Sequence, residues 1–164
     1  MKILAIDPGN TESGYALIDP ITCQPIDVGK INNFDLRERI SNGDFDDLEN
    51  VAIEMVASYG MAVGKEVFET CVWIGRFLEV VNPPIPVCLI YRKNVKLHLC
   101  HTTKAKDANI TQALIDRFAS GQPNRGKGTK ADPGWFYGFK ADIWQAYALA
   151  VYVASDPWAG REAV

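Results

Sequence analysis

The first nineteen residues restrict the fold more than any other stretch of the chain. Residues 2–7 (KILAID) and 14–19 (GYALID) are short apolar runs, and the DPGNTES between them is dense in turn formers. They read as two strands joined by a tight hairpin loop, with the first strand closing on Asp7. A third strand over residues 26–33 extends the hairpin into a meander. A polar, acidic stretch over 35–50 has room for a short helix, and VAIEMV (51–56), β-branched and apolar around one glutamate, reads as a buried strand.

From residue 62 to 81, Val63, Val67, Cys71, Ile74, Leu78 and Val81 recur at helical spacing, the clearest amphipathic helix in the sequence. Asn82-Pro83-Pro84 ends it. IPVCLIY (85–91) reads as another buried strand, and a helix over 106–120 carries Ile110, Ala113, Leu114 and Phe118 ahead of a stop at Gly121. Residues 121–139 hold five glycines, two prolines and three cations around Trp135-Phe136-Tyr137 with no period, which predicts a long mobile loop beside the body. A last helix over 140–154 turns Ile143, Ala146, Tyr147, Ala150, Val151 and Ala154 inward. The order β-β-β-(α)-β-α-β-α-α indicates an α/β fold, and 164 residues with 48% hydrophobic content suit a single domain over 1–164 with one filled core.

The net charge of −3 hides an asymmetry. Between Arg92 and Lys130 nine Lys/Arg face two acids, a segment of +7, which leaves −10 on the remainder. A field divided in this way suits a polyanion on one face, although a charge run also serves as a solvated surface. The four cysteines (Cys23, Cys71, Cys88, Cys100) form no CxxC pair, and Cys71 and Cys88 sit in apolar stretches where a thiol behaves as a small hydrophobe. No apolar run approaches a membrane span, and the N-terminal run is too short for a secretory leader, so a reduced, cytoplasmic setting is expected.

Three acids occupy places where the local pattern calls for an apolar residue or an element end. Asp7 closes the first strand, Glu54 interrupts VAIEMV, and Asp142 opens the final helix. Charges in buried strands are rare unless paired or bound to metal. Carboxylates from three elements, without a Cys/His ligand set, suit Mg²⁺ or Mn²⁺ rather than zinc. Each acid alone also fits a cap or a salt bridge; the metal reading rests on their joint placement.

On these segments the chain resembles the RuvC-type Holliday junction resolvases of the ribonuclease H-like superfamily. ILAIDPGNTESGYALID is similar to that family's first hairpin, in which a strand ends in Asp-Pro-Gly before a Gly-Tyr strand. AIEMV followed by a long helix resembles its second acidic strand and dimer helix, and ADIWQAYALA resembles its closing helix. The resemblance runs through nearly the whole chain in order and spacing, and the short form resembles a phage or prophage version. It implies a ribonuclease H-like fold, a mixed five-stranded sheet flanked by helices. It also implies a crossover junction endodeoxyribonuclease, a homodimer on branched DNA, with two Mg²⁺ per active site for which Mn²⁺ substitutes. Products would carry a 5′-phosphate and a 3′-hydroxyl. Asp7, Glu54 and Asp142 match the family's metal-binding acids, while Gln145 stands where the fourth is normally aspartate. One turn beyond Asp142, the Gln145 amide oxygen can still ligate a metal or hold its water, and Asp132 in the loop is a substitute. A two-fold DNA substrate suits a two-fold dimer, for which Ala62, Gly64, Cys71 and Gly75 supply small residues along the long helix.

DNA contacts are expected from the basic segment. Lys96 matches a family position near substrate, and Lys104, Lys106, Arg125, Lys127 and Lys130 are candidates by charge. Tyr59 follows the Glu54 strand where related enzymes place aromatics at the junction centre. Trp135, Phe136 and Tyr137 serve either to stack on an unpaired base or to anchor their loop. His98-Leu99-Cys100-His101 is too cramped for a zinc site and reads as packing or surface. Asp7-Pro8-Gly9-Asn10-Thr11 also resembles the phosphate loop of actin-like ATPases and sugar kinases, but a second lobe is needed to enclose ATP, so no nucleotide cofactor is expected. Two alternatives remain: a junction-binding protein that does not cleave, its site decayed at Gln145, and a ribonuclease H acting on RNA–DNA hybrids.

Overall fold

The computed structural model describes residues 1–156 and 159. Strands β1 (Lys2–Asp7), β2 (Glu12–Ile18) and β3 (Pro25–Asn32) form the expected meander, followed by α1 (Asn33–Ser41). β4 (Leu48–Met55) returns to the free side of β1, α2 (Lys65–Val80) crosses over, and β5 (Val87–Tyr91) completes the sheet. Helices α3 (Arg92–Cys100), α4 (Asp107–Phe118) and α5 (Ile143–Ser155) follow. The sheet order is β3-β2-β1-β4-β5, antiparallel among the first three strands and parallel from β1 through β4 to β5. This is the mixed five-stranded α/β architecture implied by the sequence.

Alternation along the strands sorts the side chains into two layers. Leu4, Ile6, Tyr15, Leu17, Val51 and Ile53 point to one side, covered by Leu36 and Ile40 of α1 and by Trp73, Ile74 and Phe77 of α2. Ile3, Ala5, Ala16, Ile18, Ala52, Cys88 and Ile90 point to the other, under Val95 of α3, Ile110 and Leu114 of α4, and α5. α5 is apolar on almost every side, as befits a helix laid across the middle of a sheet against β1, β2 and β4.

Helix α2 begins three residues later than the pattern from residue 62 suggests, and Gly64 is its N-cap. Its buried face is Thr70, Trp73, Ile74 and Phe77; Val63, Val67 and Leu78 are half-buried and Cys71 is exposed rather than packed. Trp73 and Phe77 bury more apolar area than the aliphatic stripe, and they set the rotation of the helix. The expected element order also has no helix at 92–100. α3 forms there with Val95 as its buried residue, so it has too narrow an apolar stripe to register as amphipathic.

The segment 121–139, expected to be mobile, is pinned by its aromatics. Phe136 and Phe139 are fully buried, Trp135 stacks on Phe118 with centroids 5.3 Å apart, and the Trp135 indole N–H donates to Tyr147 Oη at 3.0 Å. The anchoring role for Trp135 and Phe136 therefore holds, and neither ring is free to stack on a base.

Candidate active site

Strand pairing lines up a row of positions across one end of the sheet. Lys30 pairs with Gly14, and Gly14 pairs with Asp7. Ile6 pairs with Ile53, so Asp7 and Glu54 follow side by side on parallel strands, and Glu54 pairs with Ile90. By alternation all of them face the layer of α5. The row reads cation, gap, acid, acid. Asp142, the N-cap residue of α5, fills the gap: a Cβ on residue 14 would stand 2.7 Å from the Asp142 carbonyl oxygen and 2.9 Å from its Cβ. Glycine at 14 thus lets the third acid settle on the second strand, next to its pairing partner Asp7.

The turn that carries Asp7 is fixed by a buried polar ring. Ser13 Oγ donates to Asn33 Oδ1 at 2.6 Å, Asn33 Nδ2 donates to the Gly9 carbonyl at 2.8 Å, and the Gly9 N–H donates to Ser13 Oγ at 3.3 Å. Both Ser13 and Asn33 are fully buried. Asn10 extends the link to Glu69 of α2 at 3.2 Å.

Two of the three acids meet a cation from the chain itself. Arg92 Nη1 lies 3.1 Å from Glu54 Oε1 and 3.2 Å from Oε2, while its Nη2 lies 2.7 Å from Asp107 Oδ1 at the start of α4. Lys30 Nζ lies 2.7 Å from Asp142 Oδ2. Asp7 has neither an ion pair nor a side-chain hydrogen bond among the described residues. Burial, and next the charge of Glu54, push its carboxyl up to about 8, against the pull of Arg92. Burial also raises Glu54, with Arg92 opposing it. Arg92 itself is desolvated, which works against its charge, but Glu54 and Asp107 hold it protonated.

Among the described residues no three His, Cys, Asp or Glu side chains form a group that could hold a metal ion as they stand. The expected ligands Asp7, Glu54 and Asp142 gather at one end of the sheet, but Glu54 is engaged by Arg92 and Asp142 by Lys30. The donor set still fits a hard divalent cation in its chemistry: it is all oxygen, and Asp7 is left without a counter-charge of its own. Gln145, one turn along α5, is 8% exposed, and its amide makes no hydrogen bond among the described residues. Asp132 is held in the loop's own turn, its N–H on Thr129 Oγ1, and lines a separate cleft with Gln122 and Thr129.

Tyr59, Arg92, Lys93, Lys96 and Thr103 line an open cleft of about 490 Å³ beside Glu54. Tyr59 is 63% exposed with φ 49°. Lys104 and Lys106 are exposed between α3 and α4, whereas Arg125 reaches Gln112 on the flank of α4 at 3.4 Å. The +7 segment is therefore divided over several surfaces. His98 packs on Tyr152 in the role the sequence suggests. Arg92, Lys93 and Asp107 fall in no motif that marks them as site residues. Lys30 carries a detectable signal, since it shares the inward side of β3 with Val28; the Arg92 contact depends on β4–β5 register, which has no local signature.

No protein-family model matches the sequence, and no curated protein matches it either. The fold, however, is that of known structures. A structure of Thermus thermophilus RuvC superposes with a TM-score of 0.67 at 15% identity, over 94% of this chain and 93% of that one. T. thermophilus RuvC in complex with Holliday junction substrate superposes with a TM-score of 0.63 at 15% identity, over 94% and 92% of the two chains. The chain thus has an α/β fold with the ribonuclease H-like architecture, and that fold is RuvC-like.

Proposed function

We propose that the chain is a metal-dependent endonuclease that cuts four-way junctions and other branched DNA. The observation that carries this reading is Asp7, unpaired beside Glu54 and under Asp142, at the sheet end of a RuvC-like fold. The likeness to a RuvC bound to a Holliday junction supports the choice of DNA. Asp7, Glu54 and Asp142, with the Gln145 amide, would hold Mg²⁺ or Mn²⁺. Such ions, when bound, supply an activated water and neutralise charge on the phosphate. The chain's own contribution is positional. Gly14 admits Asp142, the Ser13–Asn33 ring holds the Asp7 turn, and Lys93, Lys96 and Tyr59 offer cationic and stacking contacts next to Glu54.

The reading includes a homodimer, since paired cuts need two sites. It is supported by the outward face of α2, where Phe68 is 62% and Val72 54% exposed beside Cys71 and Gly75. Among the described residues no helix is long and apolar enough to cross a membrane; a cytoplasmic location belongs to the proposal. A second reading, junction binding without cleavage, is favoured by Gln145 and by the cations seated on Glu54 and Asp142.

A labelled four-way junction incubated with Mg²⁺ or Mn²⁺ separates these readings. Nicking that is lost in Asp7→Asn, Glu54→Gln and Asp142→Asn, with junction binding retained, is the expected result. Binding without nicking in the parent selects the second reading, and faster cleavage of an RNA–DNA hybrid than of the junction selects a ribonuclease H.

A further inference from the structure

Arg92 is the guanidinium seated on the acidic row, and its place in the fold is unusual. It is the first residue of α3, directly after β5, and its fork spans two elements. One nitrogen sits on both oxygens of Glu54, on β4, and the other on Asp107, the first residue of α4. The two anchors differ in kind. Glu54 is 15% exposed and Arg92 26%, whereas Asp107 is 66% exposed. The Glu54 contact is thus the shielded, stronger one, and the Asp107 contact is a tether at the rim. Arg92 also forms a wall of the cleft with Lys93, Lys96, Thr103 and Tyr59.

A divalent cation approaching Glu54 competes for the same carboxylate charge with the guanidinium that sits on both of its oxygens. We propose that Arg92 is a positioning residue and built-in counter-ion: it holds Glu54 in the metal-free protein, yields that carboxylate when a divalent cation binds, and stays tethered by Asp107 to face the cleft. This inference rests on the metal-dependent reading above. Filling the acidic site and freeing a guanidinium for a phosphate then become one event, which couples metal binding to substrate binding. Lys30 on Asp142 is a lesser version of the same contact, its second carboxylate, Glu12 on the neighbouring strand, lying at 4.0 Å.

The test is calorimetric titration of Mn²⁺ into the chelator-treated full chain without DNA, for the parent, Arg92→Gln, Arg92→Lys and Lys93→Gln. Arg92→Gln should bind Mn²⁺ roughly tenfold tighter than the parent, as removal of a charge-assisted contact predicts. It should also melt lower than the parent in chelator and gain more on adding Mn²⁺. Arg92→Lys keeps the charge but cannot span both carboxylates with a fork, so its affinity should fall between the two. Lys93→Gln removes a charge from the same cleft without touching Glu54 and should shift affinity by less than about threefold. Unchanged or weaker Mn²⁺ binding in a folded Arg92→Gln overturns the proposal, as does an equal gain in Lys93→Gln. Should Arg92→Gln fail to fold, Arg92→Lys must bind more tightly than the parent or the proposal falls. Parent binding without any gain in the variants removes this inference alone; no Mn²⁺ binding in any folded variant removes the metal-dependent reading with it.

Discussion

Gly14 and Asp142 touch across the interface between β2 and the start of α5, with a built Cβ on residue 14 falling 2.7 Å from the Asp142 carbonyl oxygen and 2.8 Å from its carbonyl carbon. Backbone atoms cannot swing aside as a side-chain tip can. Gly14→Ala should therefore push the start of α5 outward and carry Asp142 away from Asp7. Overpacking of this kind costs about 1–3 kcal/mol in stability, read as a lower urea midpoint. Cleavage should fall further, by roughly a hundredfold for a ligand misplaced by about 1 Å, while junction binding stays near the parent's. An alanine variant that cuts at the parental rate would show that the close approach is dispensable.

The metal-free site should leave its mark on stability against pH. The Asp7 carboxyl is pushed from its ordinary 3.8 up to about 8 by burial first and by Glu54 second. The folded state thus binds the proton more tightly than the unfolded chain. Stability from this group is complete below about pH 4 and is lost as pH rises toward 8, at up to about 1.4 kcal/mol per pH unit. Glu54, also raised, slopes the same way. His98 is lowered from 6.5 by burial and opposes this slope below that pH, and the N-terminal amine is raised from 8.0 and acts above it, so pH 6.5–8 is the clean window. In chelator the urea midpoint should decline across that window, and Asp7→Asn should flatten most of the decline. A midpoint that is level in the parent would contradict the burial of an unpaired carboxyl.

How much of this could be read in the sequence divides along local and non-local lines. The hairpin ending on Asp7, the Glu54 strand and Asp142 at a helix start are local patterns, and the structure has each in its expected element. What was not legible depends on register and rotation. The row from Lys30 through Gly14 to Asp7 and Glu54 exists because four strands pair in one particular offset. No window of sequence contains that offset. The basic segment likewise looks uniform along the chain, but Arg92 turns inward to Glu54 while Arg125 lies along α4. For α2, the aliphatic spacing does not mark the buried face, because Trp73 and Phe77 outweigh smaller side chains.

The polar ring under the Asp7 turn ties the end of β1 to the start of α1. Asn33→Ala removes the acceptor for Ser13 Oγ, in a fully buried contact, and the donor for the half-buried Gly9 carbonyl. Leaving buried polar groups unpaired costs about 1–3 kcal/mol, visible as a lowered midpoint. The turn should also loosen, so the Mn²⁺ concentration for half-maximal cleavage should rise. A stability loss with an unchanged Mn²⁺ requirement would make Asn33 a folding residue alone.

Gln145 is the position where the acidic set is one charge short of the pattern that it otherwise resembles. Its side chain lies one turn beyond Asp142 on α5, is 8% exposed and is committed to no hydrogen bond among the described residues, so its amide oxygen is available to a bound ion or its water. A neutral donor contributes less to a doubly charged cation than a carboxylate does, and activity should prefer Mn²⁺ over Mg²⁺, since Mg²⁺ demands near-ideal octahedral geometry and gives up its waters reluctantly. Gln145→Asp should restore the missing charge and lower the metal concentration needed for half-maximal cleavage. It should also cost some stability in chelator, because it adds a carboxylate near Asp142 in a mostly buried position. Gln145→Ala leaves α5 with no oxygen at that turn and should be impaired across a magnesium titration. Should the alanine variant match the parent at every magnesium concentration, residue 145 takes no part in the chemistry, and the site works with its three acids and water.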